Sequence, residues 1–118
     1  MSEKKIILHV EDDPSITEIV KTILEKYFDV KVLSAKSIEE GWKIYQRNFL
    51  VINAIILDGN LPDGTSDKLA ENIRKFGFIG NIMANSGDDE MNKKMICAGC
   101  NMSAKKPTGI NDYEKVLK

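Results

Sequence analysis

Cysteine is scarce in this chain. Cys97 and Cys100 are the only two in 118 residues, too few for a disulfide framework. An excess of either charge is missing as well: 17 basic against 18 acidic side chains leave a formal net charge of -1. That balance gives no footing for nucleic acid or an anionic membrane as the main partner. No apolar stretch is long enough to span a bilayer. The opening MSEKK and IILHV meet acids too soon to form a secretory leader, so a cytoplasmic protein is expected. Linkers, repeats and low-complexity tracts are also absent, and the length suits one hydrophobic core. Residues 1–118 are therefore expected to form a single domain.

What is present is the balance of a globular protein, 42% hydrophobic and 30% charged residues, rather than of a disordered one. The most informative stretch is VINAIILDGNLPDG, Val51 to Gly64. Its apolar, β-branched run stops abruptly at Asp58, and turn formers follow at Gly59, Asn60, Pro62, Asp63 and Gly64. An apolar run bounded by turns predicts a strand covered on both faces, as in a parallel sheet. It would deliver the Asp58 carboxylate to the strand's carboxyl end, the rim where ligands bind in open α/β sheets.

The remaining segments alternate around it. Ile6 to Val10 predicts a first strand that ends on Glu11, Asp12 and Asp13. Asp13 can cap a helix that has Pro14 at its first position, and Ile16, Ile19, Val20, Ile23, Leu24 and Tyr27 then recur as one buried stripe. Val30 to Leu33 gives a second strand. Ser37 and Glu40 form a capping box for a helix carrying Trp42 and Tyr45 and ending at Asn48. After the Asp58 loop, Ser66 can cap a third helix with Leu69, Ala70, Ile73 and Phe76 facing inward, closed by Gly77 and Gly80. Asn81 to Ala84 is the fourth strand. Asp88 to Ala98 is the fourth helix, with Met91, Met95 and Ile96 as its apolar set. Asn101 to Ala104 and Asn111 to Leu117 supply a fifth strand and a short last helix. Such alternation implies right-handed crossovers and a doubly wound α/β fold: a five-stranded parallel sheet in the order 2-1-3-4-5, with helices on both faces.

In that order the first and third strands are neighbours, which brings Glu11 and Asp12 up to Asp58. Three carboxylates at one edge repel one another unless a cation sits among them. Mg²⁺ suits such oxygen ligands: Asp12 and Asp58 directly, Glu11 through a water, and the backbone carbonyl of Asn60 from the loop. An aspartate in that setting can be a nucleophile toward phosphorus. Phosphoryl transfer also needs a cation and a hydrogen-bond donor on the phosphoryl oxygens. Lys106, after the fifth strand, and Ser86, after the fourth, are placed for these roles.

Five motifs now stand in order: VEDDP at Val10 to Pro14, IILDGNLPDG at Ile55 to Gly64, ANSG at Ala84 to Gly87, AGC at Ala98 to Cys100 and KKP at Lys105 to Pro107. Together they resemble the receiver domains of two-component response regulators over essentially the whole chain. The resemblance implies a cytoplasmic phosphorelay protein that takes a phosphoryl group onto Asp58, with Mg²⁺, from a histidine kinase or histidine phosphotransfer protein. It implies Glu11 and Asp12 as the acidic pair, Ser86 as the switch hydroxyl (with Asn85 as the neighbouring alternative) and Lys106 as the phosphate-contacting lysine. It further implies a cis Lys106–Pro107 bond, a downstream protein partner or effector domain, and a phospho-accepting signalling domain that catalyses its own phosphorylation and dephosphorylation rather than a conventional enzyme. Asn60 and Asp88 flank the expected phosphoryl position and would tune its lifetime.

The resemblance also implies that phosphorylation switches the face formed by the fourth helix, fifth strand and fifth helix, and the departures from the family pattern fall on that output side. Ser103 stands where the family usually has an aromatic residue, the stretch from Ser86 to Gly99 is slightly short, and the last helix is brief. These motivate an alternative reading, a receiver fold kept as a phosphorylation-independent docking module. A small aspartyl-phosphate phosphatase is a third reading, suggested by DGT at Asp63 to Thr65. His9 is expected as a packed neutral histidine. Cys100 is expected as a small buried hydrophobe, and Asp63 and Gly64 as turn residues.

Overall fold

In the computed structural model, which describes residues 4–118, five parallel strands form one sheet: β1 (Lys5–Val10), β2 (Val30–Ala35), β3 (Ala54–Leu57), β4 (Asn81–Ala84) and β5 (Met102–Ser103). Their order is β2-β1-β3-β4-β5, the doubly wound arrangement expected. The helices between and after them are α1 (Pro14–Tyr27), α2 (Ile38–Asn48), α3 (Asp67–Lys75), α4 (Asp89–Ala98) and α5 (Ile110–Leu117). A short antiparallel ladder, Asn60–Leu61 with Gly64–Thr65, fills the turn between β3 and α3.

Alternation along the strands divides the core in two. Leu8, Val10, Ile55, Leu57 and Ile82 pack against Tyr45, Leu69, Ile73 and Met95 of α2, α3 and α4. Ile7, Ala54, Ile56 and Met83 pack against Val20, Leu24, Tyr113 and Val116 of α1 and α5. The central strand is fully covered, with every residue of β3 buried, because helices lie on both its faces.

Helix starts follow local chemistry. The Asp13 side chain accepts the Ser15 N–H at 2.9 Å, with Pro14 in the first turn. Ser37 accepts the Glu40 N–H at 3.1 Å, but Glu40 answers the N–H of Lys36, so the expected capping box is offset by one residue. The other orphan donors of α2, at Ile38 and Glu39, go to Asp63 at 2.9 and 3.0 Å. Asp63 is thus a long-range cap as well as a turn residue.

Several expected positions differ. Val51 lies outside β3, half exposed in the turn after α2, whose last carbonyl at Asn48 accepts its N–H. Ile19 and Tyr27 do not join the α1 stripe and are mostly exposed; with α5 covering only part of α1, the buried stripe is narrower than the apolar one. Phe76 is 45% exposed, and its ring instead makes edge contacts with Trp42, Tyr45 and Phe49. Ile96 also faces out, while α4 buries Met95 and Asn92. Ser66 does not cap α3. Its backbone is already helical, and its fully buried hydroxyl donates to the Asp58 carbonyl.

Candidate functional site

Register builds the site. Val10 pairs with Leu57, Leu57 with Ala84, and Ala84 with Ser103, so four strands end on one line. The residues that follow hang from a neighbour's last carbonyl. Asp58 N–H donates to Val10, Asn85 N–H to Leu57 and Ala104 N–H to Ala84, all within 2.8–2.9 Å. Side chains separated by most of the sequence therefore arrive at one edge in fixed positions.

Glu11, Asp12 and Asp58 each bring a carboxylate oxygen within 4.8 Å of the others. Glu11 is almost wholly buried and Asp58 nearly so, while Asp12 is exposed. Lys106 enters from the β5–α5 loop. Its Nζ donates to Glu11 Oε1 at 2.6 Å and to Asp58 Oδ1 at 3.1 Å. The second oxygen of Glu11 accepts the Asp13 N–H at 3.2 Å. Both Glu11 oxygens are thus engaged, whereas Asp12 faces solvent.

Electrostatics define what this cluster wants. Burial and the neighbouring Glu11 push the Asp58 carboxyl up to about 6, against the opposing pull of Lys106. Burial alone would lower the Lys106 ammonium, but the two carboxylates outweigh it and its pKa stands above the ordinary lysine value. Three carboxylates gather here and the one ammonium pairs with two of them, Glu11 and Asp58, an excess of negative charge that a divalent cation with oxygen ligands would neutralise. The donor set therefore fits Mg²⁺, with Asn60 exposed beside Asp58.

Ser86 is buried, and its Oγ accepts the Asp88 N–H at 3.1 Å. Asn85 is committed elsewhere: its amide donates to the Ala104 carbonyl at 2.9 Å and to Thr108 Oγ1 at 2.8 Å. Of the two, Ser86 brings a hydroxyl to this edge, while the Asn85 amide is turned toward Ala104 and Thr108. Gly59, next to Asp58, leaves no room for a side chain. A Cβ there would stand 2.4 Å from Met91 Cγ and 3.0 Å from Ser86 Cβ. The Lys106–Pro107 bond is cis. Ser103 is exposed on β5, and Asp63, spent on capping α2, takes no part in the cluster.

Sequence reasoning missed three residues that hold the site. Ser66 anchors the Asp58 carbonyl. Thr108 anchors Asn85. Asn92 accepts the Ser86 N–H at 2.9 Å and donates to the Ser86 carbonyl at 3.0 Å. The signal available for Asn92 was a polar residue next to Met91 on the inner side of the fourth helix. His9 is buried as expected, with neither ring nitrogen hydrogen-bonded. Burial, with Lys106 adding to it, lowers its pKa to about 4, so it is neutral.

Comparison with known proteins agrees with this geometry. The family model described as "Response regulator receiver domain" matches residues 7–118, and the chain belongs to that family. No curated protein matches it. Among solved structures it is similar to a response regulator receiver domain protein from Clostridium thermocellum, at 23% identity over 96% of this chain and 90% of that one, TM-score 0.86. It is also similar to the chemotaxis protein CheY4 of Vibrio cholerae, at 20% identity over 98% and 100% of the two chains, TM-score 0.86. The receiver domain of Saccharomyces cerevisiae Ssk1, crystallised with the histidine phosphotransfer protein Ypd1, is 24% identical over 98% of this chain and 88% of that one, TM-score 0.82. At these identities the structural likeness speaks for the fold alone.

Proposed function

We propose that this receiver domain accepts a phosphoryl group on Asp58 from the phosphohistidine of a kinase or a histidine phosphotransfer protein. The observation that carries the reading is the Glu11–Asp12–Asp58 cluster with Lys106 bonded into it. A nucleophilic carboxylate, a fixed ammonium and a cation-binding acid set are what phosphoryl transfer to an aspartate requires. The family match and the phosphotransfer protein crystallised with the Ssk1 receiver support the partner class.

An Asp58 oxygen would attack phosphorus as the P–N bond to the donor imidazole breaks. The imidazole leaves with that electron pair and the acyl phosphate forms. Lys106, already within reach of Asp58, would stay with the transferred oxygens, and Ser86 Oγ would turn from Asp88 to donate to one of them. Glu11, Asp12, Asp58 and the Asn60 carbonyl would hold Mg²⁺, which supplies charge neutralisation on the phosphoryl oxygens. The site stands open beside an apolar groove of about 390 Å³ lined by Ile16, Ile19, Ile23 and Pro107. That groove offers an apolar docking strip for the donor beside Lys106. Water attacking the acyl phosphate would later restore Asp58.

The test is incubation with Mg²⁺ and acetyl phosphate, read by intact mass. A Mg²⁺-dependent phosphoryl adduct that Asp58→Asn abolishes is expected, and loss of at least about 100-fold in rate on Lys106→Ala. An unmodified wild type, or an adduct that survives Asp58→Asn, rejects the reading. The phosphatase alternative loses its motif support, because Asp63 caps α2. The docking-module alternative keeps one observation in its favour, the open groove beside exposed Ser103. Equal partner binding with and without phosphodonor would select it.

A further inference from the structure

The phosphoryl edge and α4 are joined by one buried side chain. Asn92, 6% exposed, spans both polar atoms of the Ser86 peptide: Oδ1 accepts its N–H at 2.9 Å and Nδ2 donates to its carbonyl at 3.0 Å. The same carbonyl accepts the Lys106 backbone N–H at 3.3 Å. One turn of α4 therefore grips the residue that carries the site's hydroxyl. Met91, the preceding residue, lies against Gly59, next to Asp58. Ser103 is small and exposed, and a groove of about 570 Å³ opens between α4 and β5, lined by Ile96, Cys97, Ser103 and Lys105. Across it Lys105 Nζ pairs with Asp89 of α4 at 3.5 Å, but both side chains are more than half exposed, and a surface pair of this kind holds an element only weakly.

We infer that Asn92 is the positioning residue that makes Ser86 and α4 move as one body, so that a phosphoryl group drawing in the Ser86 hydroxyl displaces α4 along the open groove. This rests on Asp58 being the phosphoryl acceptor. The physics is a matter of which contacts can slip. Apolar contacts such as Met91 on Gly59 slide at little cost. The two buried hydrogen bonds from Asn92 cannot be dropped without stranding the Ser86 N–H away from water and leaving its carbonyl the longer bond from the Lys106 N–H. When Ser86 shifts, α4 follows, because keeping the amide paired costs less than leaving it. With the groove open, the helix has somewhere to go.

The sequence contains its own reporter. Cys97 is exposed on α4 at the groove, whereas Cys100 is buried and burial pushes its thiol up to about 12. A trifluoromethyl thiol label will therefore mark Cys97 alone. The full chain, so labelled, is observed by fluorine NMR before and after beryllofluoride with Mg²⁺, with acetyl phosphate and intact mass checking Asp58 in parallel. In the wild type the resonance is expected to shift on addition. In Asn92→Ala the adduct still forms but the shift collapses. Asn92→Asp keeps the acceptor for the Ser86 N–H and loses the donor to its carbonyl, and an intermediate shift is expected. A residue with a purely structural role would lower the melting temperature and leave the shift intact. A wild-type shift in either variant overturns the inference, as does a phosphorylated wild type with no shift. Should Asn92→Ala not fold, Asn92→Asp decides between these results. A wild type that takes up no phosphoryl group overturns the phosphoryl reading first, and this one with it.

Discussion

Two buried titratable side chains on neighbouring strands, His9 in β1 and Asp58 just after β3, pull stability in opposite directions with pH. The folded state raises Asp58 from 3.8 to about 6, through burial first and Glu11 second. Its contribution is thus fully present below 3.8 and lost as pH rises through about 6. His9 is lowered from 6.5 to about 4 by burial. Its contribution is present above 6.5 and lost as pH falls toward 4. The two losses overlap and mask each other. In chelator at neutral pH, Asp58→Asn is expected to be more stable than the wild type by up to about 3 kcal/mol, from a shift of this size. The gap should close in acid, and Mg²⁺ should reverse the order by binding the wild type alone. His9→Leu should remove the acid-side loss. Urea unfolding of the three proteins across pH checks both signs, and a pH-independent gap between Asp58→Asn and wild type would reject the first.

Among the elements, α4 carries more than its apolar pattern suggests. Its first turn is capped by Asp88, and its next residues press on Gly59 and bond to Ser86. Gly59 is the tight point, because a Cβ there would meet Met91 Cγ at 2.4 Å. Overpacking of this kind costs about 1–3 kcal/mol. Gly59→Ala should therefore destabilise the fold by that amount. Since the obstacle is the middle of a flexible side chain, Met91→Ala should return part of it. A double-mutant cycle measured by thermal unfolding is expected to show coupling of about 1 kcal/mol. Strict additivity would mean that Gly59 yields to Ser86 rather than to Met91.

Across the molecule, chemistry and cohesion occupy opposite ends. The strands' carboxyl ends gather the acids and Lys106. Their amino ends are tied by Arg74, whose Nε donates to the Gly99 carbonyl at 2.8 Å and whose Nη1 donates to the Phe78 and Gly80 carbonyls at 2.9 and 2.8 Å. Nη2 reaches Asn101 Oδ1 at 3.3 Å. One guanidinium thus closes α3, β4 and the entry to β5 with its fixed fork of donors. Arg74→Met strands these carbonyls and should cost about 3 kcal/mol. Being a sheet's length from Asp58, it should leave the rate of acetyl phosphate labelling within about twofold at temperatures where the variant is folded. Calorimetry and intact mass check the two halves of that statement.

Local chemistry in the chain was enough to lay out five strands, five helices and the acidic, hydroxyl and ammonium groups at the strand ends. Periodicity and turn residues act over a few neighbours and survive any packing. Even the order of the strands followed, because of the two common doubly wound orders 2-1-3-4-5 is the one that suits five strands. Which polar groups hold that edge together was settled by packing. Ser66 looked like a helix cap and became an anchor for the Asp58 carbonyl. Asp63 is the turn residue it looked like, and it also caps α2. Asn92, unremarked on a Met-bearing helix, pairs with Ser86. Ile19, Tyr27 and Phe76 kept their helical spacing yet stayed at the surface. Spacing sets the face a side chain shares, whereas burial depends on which neighbouring element covers that face, and a buried polar group takes whatever partner the fold brings within hydrogen-bond reach.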